Sequence, residues 1–248
     1  MAQTYHQLGI LAQQRGDYDD AEPLYRRALD ISERIGDQVR MAASYHQLGM
    51  LAQQRGDYDT AERLYCRSLD IKERIGNQPG MSKSYHHLGR LAQDRQDYDT
   101  AEPLYRRALD IAERIGDQAG TATSYHQLGV LAQLRGDYDT AEPLYRRALE
   151  IFERIGHQAG TATSYANLSS FSEATGNLDQ AVAYRVRALA IQLRIGTATA
   201  GDLRPLAGLR RQLGRDRFLA AVASRLDKQS ASNLMELLDQ HEKPDAGN

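Results

Sequence analysis

The sequence repeats itself every 40 residues, and this period constrains the fold more than any other feature. The segment YHQLG begins at Tyr5, Tyr45 and Tyr125. The segments RGDYD and AEPLYRRAL recur with the same spacing, and residues 5–36 are nearly identical to residues 125–156. A fixed period of about 20–50 residues is typical of proteins that stack one small structural unit on the next. The sequence therefore predicts a repeat array.

Each period contains two amphipathic helical patterns joined by short turns. The apolar residues of the first half recur at helical spacing, as in Tyr5, Leu8, Leu11 and Ala12. Those of the second half do the same, as in Ala21, Leu24, Tyr25, Ala28, Leu29 and Ile31. Neither helix can bury its apolar face alone, so the pattern predicts helix pairs that pack on neighbouring pairs. Small residues at Gly9 and Ala28 are expected to let the two helices approach closely.

The turns carry signals for the ends of helices. Gly16 supplies a left-handed residue that ends the first helix. Asp19 and Glu22 have the spacing of a capping box, which predicts that Asp19 opens the second helix. After Gly36 ends that helix, Asp37 is placed to cap the first helix of the next copy.

The repeated string Y-x-x-L-G-x-x-A-x-x-x-G-D-Y-D-x-A-x-x-x-Y-x-x-A-L resembles the tetratricopeptide repeat (TPR). The matching residues of the first copy are Tyr5, Leu8, Gly9, Ala12, Gly16, Asp17, Tyr18, Ala21, Tyr25 and Ala28. The 40-residue form is similar to the repeats of kinesin light chain, of the Leu-Gly-Asn adaptors and of bacterial regulators. The low divergence among copies most resembles the bacterial arrays. The resemblance implies an all-α fold, a right-handed TPR superhelix (α-solenoid) with a degenerate C-terminal helical cap.

The period and the resemblance together divide the chain. Five tandem repeats are predicted at about 1–36, 37–76, 77–116, 117–156 and 157–196. The fifth repeat has Ser169 in place of glycine and Arg185 in place of tyrosine, and Tyr184 is expected to take over the packing of that tyrosine. Degenerate capping helices are predicted over 197–240 and a disordered tail over 241–248.

Composition argues against several classes of function. The 31 Lys and Arg nearly balance the 33 Asp and Glu, so no bulk attraction to nucleic acid or anionic lipid is expected. The basic stretch from Arg204 to Arg217 lacks interleaved aromatics, which indicates a solvated helix face. The single cysteine, Cys66, excludes an internal disulfide. No apolar run suits a membrane span and no secretory signal is visible, so we expect a cytoplasmic protein.

In TPR proteins the first helices line a concave groove, and the resemblance implies that variable positions on this face contact a partner. We name the four corresponding sets ladders 1 to 4. They are Gln3, Ala43, Lys83 and Thr123 (ladder 1); His6, His46, His86 and His126 (ladder 2); Ile10, Met50, Arg90 and Val130 (ladder 3); and Gln13, Gln53, Gln93 and Gln133 (ladder 4). One helix face presents all four positions of a copy.

The histidines of ladder 2 admit several interpretations. A metal site is disfavoured because packed helices lie about 8–10 Å apart, whereas zinc–nitrogen bonds are about 2.1 Å long. Only His86 and His87 are adjacent in sequence. No nucleophile accompanies the ladder, so we predict no enzyme, no catalytic residue, no metal and no cofactor. A peptide-binding surface that titrates near pH 6–7 and a by-product of repeat duplication both stay open.

The sequence thus favours a non-catalytic scaffold that binds a peptide or helix of a partner protein in the groove. One alternative is a sensor or autoinhibitory module of a larger bacterial regulator. The other is a solenoid that assembles with itself. Both are motivated by the first helix, which begins almost directly at Met1 without a capping helix before it. Neither nucleic acid nor a membrane is an expected partner.

Overall fold

The structure, a computed structural model, describes residues 1–241. The chain forms two compact units, Met1–Ser124 and Tyr125–Asn248. The described residues contain thirteen α-helices, one short 3₁₀ helix and no strand, so the predicted all-α repeat fold is confirmed. The predicted disordered tail lies outside the described residues except for His241, where the last helix ends.

The first ten helices form five consecutive pairs. The first helices of the pairs are α1 (Ala2–Gln14), α3 (Gln38–Gln54), α5 (Gln78–Asp94), α7 (Gln118–Leu134) and α9 (Gln158–Ala174). The second helices are α2 (Tyr18–Ile35), α4 (Tyr58–Arg74), α6 (Tyr98–Ile115), α8 (Tyr138–Arg154) and α10 (Leu178–Arg194). The 3₁₀ helix and the last three helices are Ala200–Leu203, α11 (Arg204–Leu213), α12 (Arg215–Ala223) and α13 (Lys228–His241).

A glycine and a tyrosine join the two helices of a pair. Gly49 of α3 lies so close to α4 that a Cβ atom there would be 2.8 Å from the ring of Tyr65. The Tyr65 hydroxyl donates a hydrogen bond to Gln53 Oε1 at 2.8 Å, which fixes the ring against the first helix. The same close approach recurs at 2.7–2.9 Å for Gly9 with Tyr25, Gly89 with Tyr105 and Gly129 with Tyr145. The predicted close approach is confirmed, with a tyrosine ring rather than an alanine as the partner.

An arginine clamp joins one pair to the next in the first unit. Arg95, which follows α5, forms ion pairs with Asp59 and Glu62 of α4, both at 2.6 Å. Arg55 repeats this arrangement with Asp19 and Glu22 of α2. An aspartate and a glutamate three residues apart thus hold the arginine that ends the following first helix.

The second helices begin two residues earlier than predicted. Asp57 is the N-cap of α4, and its carboxylate accepts a hydrogen bond from the backbone N–H three residues on, at 3.1 Å. The prediction that Asp19 caps the second helix is therefore wrong, because Asp19 lies inside α2 and its spacing to Glu22 serves the arginine clamp. The predicted cap Asp37 is confirmed, since its side chain accepts from the backbone N–H three residues on at 3.0 Å.

The first helix departs from the burial pattern of the copies that follow. Leu48 and Leu51 of α3 are only 4% and 2% exposed, in a cluster with Tyr25 of α2. The equivalent Leu8 and Leu11 of α1 are 45% and 49% exposed. The prediction that these two leucines are buried is wrong for this copy, because no preceding second helix packs over them within the described residues.

The last three helices cover the apolar face of α10. Val182 of α10 shares one buried cluster with Leu206, Phe218 and Leu238, which lie on α11, α12 and α13. Three arginines of the basic stretch form ion pairs. Arg210 and Arg215 pair with Asp239 at 2.7 and 3.4 Å, and Arg217 pairs with Asp179 at 2.6 Å. Arg217 therefore fastens the cap to α10 of the array, whereas Arg210 joins α11 to α13 within the cap.

The fifth pair replaces the glycine–tyrosine joint with different contacts. The Ser169 hydroxyl donates to the backbone carbonyl of Ala181 at 2.8 Å, so a polar bond stands where the other pairs have a bare glycine. Tyr184 is buried, as predicted, and its ring centroid lies 5.8 Å from that of Tyr165. Arg185, which occupies the tyrosine position, is half-buried.

Candidate functional site

Two recesses lie between neighbouring first helices of the first unit, and both contain residues of ladders 1 and 2. Recess A has a volume of about 440 Å³ and is lined by Gln3, His6, Asp37, Val39, Arg40 and Ala43. Recess B has a volume of about 320 Å³ and is lined by Ser82, Lys83, His86, His87, Asp117, Ala119, Gly120, Thr123 and Ser124. Most residues of recess B lie 80 positions after their counterparts in recess A, so the two recesses occupy the same place in different repeats.

Each recess holds one cation and one carboxylate. In recess A, the guanidinium of Arg40 is paired with Asp37, and it reaches Gln3 Oε1 at 3.4 Å. In recess B, Asp117 accepts a hydrogen bond from a backbone N–H of α7 at 2.9 Å, while the exposed Lys83 supplies the positive charge. Such a mixture suits a ligand that both donates and accepts hydrogen bonds, as a peptide does.

The histidines of ladder 2 pack against the joint tyrosines of their own pairs. Their ring centroids lie 5.5–5.8 Å from those tyrosines, in the pairs His6–Tyr25, His46–Tyr65, His86–Tyr105 and His126–Tyr145. All four histidines are half-buried. The ladder therefore combines a packing role with a partly accessible surface.

Burial changes the titration expected of these histidines. It lowers the pKa of His46 to about 3 and that of His126 to about 4, because the charged imidazolium loses its hydration. The pKa of His6 is lowered in the same direction. Burial therefore disfavours, for His46 and His126, the interpretation in which the ladder titrates near pH 6–7.

His87 forms a contact that the sequence analysis did not anticipate. Its ring centroid lies 4.6 Å from that of His46 in the preceding pair and 5.4 Å from that of Tyr65. The Nδ1 atoms of both histidines are buried, and neither finds a hydrogen-bond partner among residues 1–241. The signal in the sequence was the HH dipeptide, because copies one, two and four have glutamine at this position and copy five has Asn167. No group of three or more potential metal ligands is found in the part of the chain that the structure describes.

Ladders 3 and 4 lie closer to the core than ladder 1. In all four copies the glutamine of ladder 4 accepts a hydrogen bond from the joint tyrosine at 2.8–2.9 Å. Gln53 is only 7% exposed and also donates to Asp94 at 2.7 Å. Ile10, Met50 and Val130 of ladder 3 pack against core clusters. The amide oxygens of ladder 4 thus already accept hydrogen bonds within the fold, and the recesses are lined by residues of ladders 1 and 2.

Comparisons with known proteins agree with this architecture. Residues 1–74, 80–154 and 126–194 match the tetratricopeptide repeat family. No curated protein matches the chain. Among the helices described, none is long and apolar enough to cross a membrane.

Several solved structures share the fold. BtubC (BKLC) from P. vanneervenii is 23% identical over 90% of both chains, with a TM-score of 0.67. A Podosopora anserina protein described as a kinesin light chain with nearly identical TPR-like repeats is 20% identical over 79% of this chain and 97% of that one, with a TM-score of 0.61. A STAND protein with a tetratricopeptide repeat sensor from Pyrococcus horikoshii is 19% identical over 97% of this chain and 38% of that one, with a TM-score of 0.70. The family match covers most of the sequence, and the chain therefore belongs to the tetratricopeptide repeat family.

Proposed function

We propose that this protein is a non-catalytic interaction scaffold that binds a peptide segment of a partner protein along its first helices. The observation that carries the proposal is the recurrence of one recess at the same place in two repeats. Both recesses combine a cation with a carboxylate although the cation comes from a different helix in each, from Arg40 in recess A and Lys83 in recess B. TPR proteins are generally interaction scaffolds, which supports the same conclusion.

The chemistry of the recesses specifies the kind of peptide that fits. The Lys83 ammonium suits an acidic or amide side chain, and the Asp117 carboxylate suits a donor such as a backbone N–H. The apolar members of ladder 3 lie beside the joint tyrosines and offer contacts to apolar anchors of the peptide. We expect a bound segment with apolar anchors and intervening amide or acidic groups.

A peptide-display selection on the intact chain tests this proposal. Fluorescently labelled peptides from the selection are titrated into the wild type and into the variants Lys83→Ala and Thr123→Ala. Lys83→Ala should weaken binding about fivefold or more, since loss of a contact worth about 1 kcal/mol has that effect. Lys228→Ala on α13 is the matched control, because Lys228 is also exposed. Equal binding by all variants, with unchanged melting, would place the peptide site outside recess B and contradict the proposal.

One observation favours a second candidate, a sensor module of a larger regulator. The chain covers only 38% of the Pyrococcus horikoshii STAND protein, whose TPR segment is described as a sensor. Determining the whole open reading frame and its transcript tests this candidate. A frame that continues into an effector domain supports it, whereas a separately transcribed frame of this length contradicts it.

A further inference from the structure

A pocket of the second unit, which we call pocket C, is lined by residues of α8, α9 and α10. Its volume is about 410 Å³, within the range of about 300–1,000 Å³ that is typical of small-ligand sites. Seven of its nine lining residues, among them Glu153, Tyr165 and Arg187, have the same identity 40, 80 and 120 positions earlier. The two that differ are Thr161 and Ala190, so these two positions set pocket C apart from its equivalents.

An acidic residue of the other copies is missing from pocket C. Positions 30, 70, 110 and 150 hold aspartate or glutamate, whereas the equivalent residue of the fifth copy is Ala190. In copy one, Asp30 pairs with Arg34, four residues on, at 3.0 Å. In copy four, Glu150 pairs with Arg147, three residues before it, at 2.7 Å. An acidic side chain at this position thus neutralises an arginine on one side of it or the other.

The fifth copy keeps both arginines without that carboxylate. Arg187 lies three residues before Ala190 and Arg194 four residues after it, so all three share one face of α10. Both arginines are exposed and line pocket C, and neither forms an ion pair within residues 1–241. The Arg187 guanidinium lies over the Tyr165 ring, 5.5 Å from its centroid, and donates to the Tyr165 hydroxyl at 3.3 Å. One guanidinium is therefore held beside the pocket before a ligand arrives.

The second difference leaves space in the pocket. Copies two and three have methionine at the position of Thr161. In copy two this side chain, Met41, packs against the buried cluster that contains Tyr45, the equivalent of Tyr165. The shorter threonine leaves open the space beside Tyr165 that a methionine would fill. Copy four has Thr121 here but keeps its acidic residue, so only the fifth copy combines the two changes.

The charges of pocket C select the ligand. Arg187 and Arg194 carry two positive charges and Glu153 one negative charge, which leaves one net positive charge among the lining residues. Glu153 is held in place by the Tyr165 hydroxyl, which donates to its carboxylate at 2.6 Å. One ligand carboxylate balances this charge. A phosphate group carries about −1.5 to −2 at pH 7 and would be repelled by Glu153.

We propose that pocket C binds the carboxylate of a ligand with an apolar body, either a free organic acid or an acidic side chain of a peptide. The carboxylate lies over Ala190 between Arg187 and Arg194, where the other copies have a carboxylate of their own. The apolar body lies against Ile191 in the space that Thr161 leaves. Hydrogen bonds between guanidinium and carboxylate groups are about twice as strong as those between neutral groups, so two arginines suffice to orient the ligand.

A carboxylate of a second copy fits pocket C less well. Several carboxylates of this chain, those of Glu22, Glu102 and Glu142, already pair at 2.6–2.7 Å with the arginine four residues on. Inserting one of them would bring its arginine close to Arg187 and Arg194, and like charges oppose that contact. A ligand whose carboxylate has no cation beside it meets no such repulsion.

Two probes with one carboxylate each test pocket C on the intact chain. They are hexanoate and the tetrapeptide Ala-Glu-Leu-Ala with an acetylated N-terminus and an amidated C-terminus. Hexanamide and the corresponding glutamine peptide are the uncharged controls. NMR titration of backbone amides and arginine side chains measures binding, and we expect saturable binding of a carboxylate probe and none of its control. Binding of hexanoate supports a free acid as the ligand, and binding of the peptide alone supports an acidic side chain.

Substitutions at the two unusual positions separate charge from space. Ala190→Asp restores the acidic residue and should weaken binding about tenfold, because its carboxylate competes for the same arginines. Thr161→Met should also weaken binding, because it fills the space without changing the charge. Arg194→Ala should weaken binding about tenfold, whereas Arg114→Ala, the equivalent change on α6, is the matched control and should leave the affinity unchanged. Ala190 and Arg194 are exposed, so these variants should keep the wild-type melting temperature.

Four results would overturn the proposal. The first two are absence of binding by both carboxylate probes and equal binding of a carboxylate probe and its uncharged control. The third is wild-type affinity in Ala190→Asp or Arg194→Ala. The fourth comes from sedimentation, where a wild-type dimer that dissociates on Ala190→Asp would show that a carboxylate of a second copy occupies the pocket.

Discussion

The outermost helix is covered at one end of the described chain and exposed at the other. At the C-terminal end, Val182 and Val186 of α10 are at most 3% exposed, because α11, α12 and α13 pack over them. At the N-terminal end, Leu8 and Leu11 of α1 are 45% and 49% exposed. The second helices of the two terminal pairs also differ in sequence, because Val182 and Val186 stand where α2 has the charged residues Glu22 and Arg26. The C-terminal end therefore combines an apolar outer face with helices that cover it.

This comparison shows which parts of a repeat depend on a neighbour. The glycine–tyrosine joint forms within a pair, and Gly9 and Tyr25 make it although α1 is uncovered. The burial of the leucines and the arginine clamp instead need a helix from the adjoining pair. Within residues 1–241, the outer helix is therefore covered at one end, whereas at the other, which we call the open end, Leu8 and Leu11 are exposed.

The largest effect is expected where the cap closes the array. Phe218 of α12 is fully buried in the cluster that contains Val182 of α10. Phe218→Ala should therefore lower the free energy of unfolding by about 3–5 kcal/mol. Its neighbour Leu219 is 40% exposed, and Leu219→Ala should cost less than about 1 kcal/mol. Urea denaturation followed by circular dichroism measures both. Similar costs for the two variants would show that the cap does not bury α10 as described.

Matched leucines in α3 and α1 test the open end directly. Leu51→Ala should cost about 2–5 kcal/mol, because the leucine is 2% exposed and a cavity remains. Leu11→Ala should cost less than about 1 kcal/mol, because half of its surface is already in water. The same denaturation experiment applies. A large loss from Leu11→Ala would mean that this side chain is covered in solution, by a second copy or by rearrangement.

Acid sensitivity should also differ between the interior and the open end. Burial lowers the pKa of His46 to about 3, whereas an unfolded histidine titrates near 6.5. Between those two pH values the unfolded chain binds one proton more than the folded chain. The free energy of unfolding therefore decreases as the pH is lowered, by up to about 1.4 kcal/mol per pH unit. His46→Gln should reduce this slope more than His6→Gln does. Denaturation curves from pH 7 to pH 4 measure it, and identical slopes for both variants would contradict the assignment.

The smallest change in stability is expected at Gln96, in an interior turn far from both ends of the described chain. Gln96 has φ of 62°, in the left-handed region where Gly16 and Gly56 stand in other copies. Gln96→Gly should stabilise the chain by about 0.5–1 kcal/mol, because glycine enters this region without a steric penalty. Gly56→Gln is the reciprocal control and should lose a similar amount. Thermal denaturation of both variants measures the pair, and a destabilised Gln96→Gly chain would show that the side chain makes a compensating contact.

Much of the fold was predictable because its determinants are local and repeat. The period placed the helix pairs, and Gly9 and its equivalents marked the close approach within each pair. Asp19 was assigned wrongly because a capping box and a contact to the next repeat use the same spacing. The burial of Leu8 was overestimated because sequence periodicity gives the face of a helix, not whether another helix covers it.

The candidate site was less predictable for a related reason. Helical spacing placed ladders 1 to 4 on one helix face, but it did not show how deeply the side chains of each ladder are buried. The structure shows Gln53 bonded inside the fold and Lys83 beside an open recess. The contact between His46 and His87 joins two repeats and arises from one changed residue, which a consensus built from the other copies conceals.

The arginine clamp has a consequence for the history of the gene. Arg55 with Asp19 and Glu22 and Arg95 with Asp59 and Glu62 are equivalent contacts, 40 residues apart. A segment of that length can be lost or gained at Gly56 without leaving either half of a clamp mismatched. Unequal recombination between the segments that encode these repeats would therefore change the number of repeats without requiring a new interface to evolve.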